Sequence, residues 1–108
     1  MKAGRELDKV IAERVMTVWV PKNQIPLYSS RIDDAWQVVE RMRESRTSVL
    51  RIVGLIQGYR VAFSDIRWSS ADSDMDLSRP YYVKEAVADT LPEAICLAAL
   101  RAVGVDVD

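Results

Sequence analysis

Residues 90–104 constrain the fold more than any other stretch, because a polar corner at Asp89-Thr90 opens onto a helix with almost no polar side. The Thr90 hydroxyl can accept a hydrogen bond from a free amide of the first turn, Pro92 needs no donor there, and Glu93 can reach back to the N-cap amide. The spacing therefore predicts a helix starting at Thr90. Its body carries Ile95, Leu97, Leu100 and Val103, interleaved with Ala94, Ala98, Ala99 and Ala102, and Arg101 is the only charge between Ala94 and Gly104. Such a helix is buried on most sides, and its small residues let a neighbouring layer approach closely.

The other elements follow from periodicity. Leu7, Val10, Ile11 and Val15 recur at helical spacing over 6–16, with Glu6, Asp8, Lys9, Glu13 and Arg14 expected on the solvent side. Residues 17–20 are β-prone and are expected to form a short strand at most, since Pro21 and Pro26 make 21–27 a loop. Ser30 is expected to cap a second helix, with Asp33 and Asp34 in its first turn and Ile32, Ala35, Trp36, Val39 and Met42 as its buried stripe. Residues 47–57 and 59–67 read as a hairpin around Gln57-Gly58, in a register pairing Ile56 with Tyr59, Ile52 with Phe63 and Arg51 with Ser64. One face then carries Leu50, Ile52, Ile56, Tyr59, Val61 and Phe63 as core. The other, mixed face suits a sheet that one helix crosses, leaving a groove. A polar stretch, 68–80, leads to a third strand at 81–86. The order α-α-β-β-β-α, with a small antiparallel β-meander, defines an α/β (α+β) domain over 1–108.

Composition limits what such a domain can do. A chain of 108 residues, 49% hydrophobic, builds one modest core. A net charge of −1 supplies no field toward nucleic acid or anionic lipid, so neither partner is expected. No apolar run reaches the roughly 20 residues that span a bilayer, and the first residues read as polar helix rather than signal peptide. A cytoplasmic protein is expected. The single cysteine, Cys96, lies in the apolar helix and reads as a small buried hydrophobe. With no histidine, the commonest general base, metal ligand and nucleophile partner are all missing. No catalytic residue, metal or cofactor is expected.

Asp72, Asp74 and Asp76 alternate like the start of a calcium loop, but Leu77 replaces the required glycine and Val83 the final glutamate, so the segment reads as a solvated loop. Arg51 and Arg60 share the mixed sheet face, and in the expected register they lie too far apart to hold one phosphate. The two helix N-termini are the most suggestive geometry: Tyr28, Ser29, Ser30 and Arg31 at one, Asp89 and Thr90 at the other. Each offers amides and hydroxyls that serve as caps or as an anion site. Trp19, Trp68 and Tyr82 are candidates for a pocket or a subunit contact.

The segment 87–100, taken with Tyr28-Ser29-Ser30 leading into Ala35-Trp36-Gln37-Val38-Val39-Glu40, resembles the phage α-β-α (ABA) sandwich domain family of small phage and prophage proteins. Leu7-Asp8 and Ile11-Ala12-Glu13-Arg14-Val15-Met16 fit the family's opening helix. The resemblance implies a three-layer α-β-α sandwich and a phage setting without a particular reaction. Ser30 and Arg31 stand where a threonine and an acidic residue commonly follow Tyr-Ser, so no role resting on an acid at that corner carries over. The expected function is that of a non-enzymatic accessory protein, homo-oligomeric through its β edges, that binds a small anionic or nucleotide-like ligand such as a host defence signal. Tyr28, Ser29, Ser30, Arg31, Arg51, Asp89 and Thr90 are the residues expected at such a site. The alternative is an interaction module that binds a host protein through Trp19, Trp68 and Tyr82.

Overall fold

A computed structural model describes residues 2–46, 48–65 and 82–105. In chain order these form α1 (Arg5–Arg14), a 3-10 turn (Lys22–Gln24), α2 (Ile32–Arg46), β1 (Ser48–Gly54), β2 (Tyr59–Asp65), β3 (Tyr82–Ala88) and α3 (Leu91–Ala102). The strands make one antiparallel sheet in the order β1-β2-β3. The order α-α-β-β-β-α is as expected and is consistent with an α-β-α sandwich.

The last helix is the hub. Every residue from Ala94 to Leu100 is buried, and α3 contacts β2 and β3 as well as α2 and α1. Seven consecutive buried residues cover all sides of a helix, so α3 is enclosed between layers rather than laid on a surface. Its start matches expectation: Thr90 is the N-cap, its hydroxyl accepts from Glu93 N–H at 3.4 Å, and Pro92 sits in the first turn. The Glu93 carboxyl, however, does not return to the Thr90 amide; it accepts from Ala3 N–H at 3.3 Å. At the other end Gly104, at φ 87, closes a Schellman turn in which Val105 N–H reaches Leu100 O at 2.9 Å. The Arg101 guanidinium then donates to Glu85 O at 2.7 Å, fastening the helix end to β3.

The sheet turns Val61, Phe63 and Ala86 into this core. The hairpin is not the expected two-residue turn. Gly54 pairs with Tyr59 and residues 55–58 form the connection, with Leu55 N–H bonded to Gly58 O at 3.0 Å. Pairs are therefore displaced by two positions, to Ile52 with Val61 and Arg51 with Ala62. Because an even shift preserves sidedness, Leu50, Val61 and Phe63 still face the core. Ile56, expected in that core, is instead fully exposed on the connection, and Ile52 and Tyr59 are partly exposed at the sheet's end. Gly58 fixes this geometry: its φ is 98, and a Cβ there would collide with Ala88 O.

Other expectations are corrected by packing. Helix α2 buries Ala35, Val38, Val39 and Met42, while Ile32 and Trp36, expected in the stripe, are 47% and 43% exposed. The apolar stripe is rotated toward Val38, which leaves the bulky indole at its edge. Ser30 is not the cap, for α2 starts at Ile32 and Ala35 N–H bonds Arg31 O at 2.9 Å. Residues 17–20 form no strand. Thr17 takes φ 53 and turns the chain back, so that Val18 N–H bonds Ala12 O at 3.1 Å and is lost to any ladder. Among the described residues no helix crosses the sheet face carrying Arg51, Val53, Arg60, Glu85 and Val87, which are all exposed. The segment 68–80, with Asp72, Asp74, Asp76 and Trp68, lies outside the described residues, as do Ile66, Arg67 and Tyr81. Among the described residues no helix is long and apolar enough to cross a membrane.

Removing the cap hydroxyl in Thr90→Ala is expected to cost about 1 kcal/mol. Urea denaturation reads this directly: the midpoint falls with an unchanged slope, and an unchanged midpoint contradicts the cap.

Candidate functional site

The expected site residues do not meet at one place. Tyr28 and Ser29 are buried, at 2% and 0% exposure, and belong to the interior. The Ser29 hydroxyl is 2.6 Å from Asp8 Oδ1 and accepts from Gly4 N–H at 2.9 Å, while Ser29 N–H also donates to Asp8 Oδ1 at 2.8 Å. The one hydroxyl proton goes to Asp8 rather than to Gly4 O, which is 3.4 Å away. Ser30 and Arg31 are exposed on the turn before α2, and Arg31 pairs with Asp33 at 3.4 Å. Asp89 and Thr90 are exposed beside Gly58 at the α3 start. Arg51 lies on the open sheet face, in a row with Ala62 and Glu85, and Tyr82 contributes its backbone to the β2–β3 ladder opposite Asp65. In the observed register Arg51 and Arg60 are diagonal neighbours, about 7–8 Å apart, nearer than the sequence suggests, but Glu85 shares their face.

Asp8 was expected in solvent, yet it is 1% exposed. The signal for its burial is present in the sequence: Ala12 and Val15 follow it at i+4 and i+7, which places it on the same stripe. The carboxyl is tolerated because Ser29 satisfies it twice. The same region gathers the helix starts. Gly4 touches Ser29 just before α2, Ala3 touches Glu93 in the first turn of α3, and Asp34 Oδ2 accepts from Leu27 N–H at 3.0 Å. Their amides and carboxyls thus serve one another. Tyr28 feels this crowding: its phenol is held above its usual range by burial and by Asp34, Cys96 and Asp8. The Cys96 thiol is pushed far up by burial, with Asp8 and Glu93 adding to the effect. A thiol so protected is a poor nucleophile.

A concave surface also runs along α1, reaching Asp8. A cleft of about 430 Å³ opens between α1 and the 23–27 segment, lined by Arg5, Glu6, Asp8 and Lys9 from the helix and by Asn23, Ile25 and Leu27. Arg5 and Lys9 are four residues apart on one helix face and make no ion pair among the described residues. They stand there beside Glu6 and Asp8, the latter engaged by Ser29. Two such cations, an amide and an apolar wall suit a small anion with some apolar surface. The sequence pairing of Arg5 with Lys9 was visible; that 23–27 folds back beside them was not. Among the described residues no cluster of three metal-ligating side chains occurs.

The family model of the phage ABA sandwich domain matches residues 9–100. The chain is also similar to a phage protein from Bacillus cereus ATCC 14579 whose crystal structure is known, with 28% identity and a TM-score of 0.70 over 100% of this chain and 93% of that one. No curated protein matches.

The raised Cys96 thiol predicts a pH effect. Below about pH 8.5 the thiol is protonated in folded and unfolded chains alike. Above that pH the unfolded chain loses the proton and the folded chain keeps it, so stability falls as pH rises, by up to about 1.4 kcal/mol per pH unit. Denaturation of the wild type and of Cys96→Ala between pH 8 and 10 checks this: the wild type loses stability faster, and parallel curves contradict it.

Proposed function

The chain belongs to the phage ABA sandwich domain family, and from that premise we propose that it is a non-enzymatic phage protein that binds a small anionic molecule in the cleft beside α1. The observation that carries this reading is the placement of Arg5 and Lys9, unpaired among the described residues, on the wall of a cleft whose opposite side holds Asn23, Ile25 and Leu27. An anion held by both cations breaks no ion pair among the described residues, and it must sit on their side of the cleft, away from Glu6 and Asp8. This site replaces the helix N-termini as the favoured location, because Ser29, Thr90, Asp34 and Glu93 already satisfy groups of the fold itself. For a phage, such a cleft serves to sequester a small anionic molecule of the host. Self-association through the edges of β1 and β3, unpaired among the described residues, is part of the same proposal.

The interaction-module reading is favoured by a separate observation. Ile56 projects fully exposed from the β1–β2 connection, with Val53 and Val87 half-exposed on the open sheet face. A host protein bound there would not depend on Arg5 or Lys9.

Titration with ribose 5-phosphate, followed by amide chemical shifts, separates the two. Shifts concentrated at Arg5, Lys9 and Asn23, with affinity at least about tenfold weaker in Arg5→Ala/Lys9→Ala and in high salt, are the expected outcome. Affinity that survives the double substitution contradicts the anion cleft.

A further inference from the structure

A second hollow of about 190 Å³ continues the cleft along α1, sharing Lys9 and Ile25 with it and adding Glu13, Val18 and Trp19. From Arg5 to Glu13 the combined groove follows α1 for about 12 Å, at 1.5 Å per residue. Its two ends differ. One end sets Arg5 and Lys9 beside Glu6 and an Asp8 whose carboxyl is engaged by Ser29, whereas the other offers Glu13 and an indole that is 88% exposed. The display of Trp19 is built into the backbone: Thr17 turns at φ 53, Val18 N–H is bonded to Ala12 O, and the Arg41 guanidinium donates to the Thr17 hydroxyl at 3.0 Å. The backbone before Trp19 is fixed in this way, and its exposed ring is available for stacking.

We propose that the groove selects an anion carrying a planar aromatic ring, about the size of a mononucleotide, with its acidic group between Arg5 and Lys9 and its ring on Trp19. The proposal rests on reading the cleft as an anion site. Glu13 sets the polarity, since it repels a second acidic group at the ring end and accepts from a ring N–H.

Calorimetric titration of the full chain with adenosine 5′-monophosphate and with ribose 5-phosphate tests this. The wild type is expected to bind the first at least about tenfold more tightly, a preference that base–aromatic stacking supports. Trp19→Ala should abolish that preference while leaving ribose 5-phosphate binding unchanged, and Trp19→Phe should retain part of it. Because Trp19 is exposed, a thermal melt unchanged from wild type confirms that the variant is folded. Equal affinity for both probes in wild type and Trp19→Ala overturns ring selection and leaves the anion cleft standing. No binding of either probe, or binding insensitive to Arg5→Ala/Lys9→Ala, overturns both.

Discussion

The hydrogen bonds between Asp8 and Ser29 hold the arrangement of this protein together. Both residues are buried, and each is placed in an otherwise apolar neighbourhood by Leu7, Ile11 and Tyr28. A buried carboxyl without partners is costly, so α1 can seat its apolar stripe only where Ser29 N–H and Oγ–H meet Asp8. That requirement fixes the rotation of α1. With Leu7, Asp8 and Ile11 turned inward, Arg5 and Lys9 are turned toward the 23–27 segment, where the cleft forms.

Helix α3 provides the surface against which this happens. Its alanines and Cys96 leave room on one side for the sheet and on the other for α2 and α1, and its two ends are fastened separately. At the start, Thr90 caps the first turn and Glu93 ties down Ala3; at the finish, Gly104 reverses the chain and Arg101 grips Glu85 O. The first turns of the three helices all carry acids, Glu6 and Asp8, Asp33 and Asp34, and Glu93. Carboxyls at these positions offset the positive ends of the helix dipoles. Anion binding is consequently better served by the side chains of Arg5 and Lys9 than by the helix ends.

The helices and the strand order were legible because their signals are local. The cap at Thr90, the run of small residues behind it and the β-rich segments around Gly58 each declare an element without reference to distant partners. Register was less legible. Gln57-Gly58 suits a tight turn, but Gly58 is demanded instead by the approach of Ala88 O, a contact made by the end of a strand thirty residues later. Trp36 was misplaced because a large apolar residue beside a helical stripe can lie inside or at its rim, and only the position of α3 decides. Asp8 was misassigned for the opposite reason, its polarity outweighing the Ala12 and Val15 spacing that puts it inward. Of the groove, only Trp19 stood out in the sequence, as a candidate for a pocket or a subunit contact. Arg5 and Lys9 are ordinary surface residues until the turn at Thr17 carries 18–27 back along α1.

The most direct test is a double-mutant cycle on Asp8→Ala, Ser29→Ala and the pair, measured by urea denaturation. A coupling of about 1–3 kcal/mol is expected for a buried side-chain hydrogen bond to a carboxyl, since either single substitution strands the other group. A coupling indistinguishable from zero, with the two losses simply adding, would show that the Asp8–Ser29 contact does not set the position of α1.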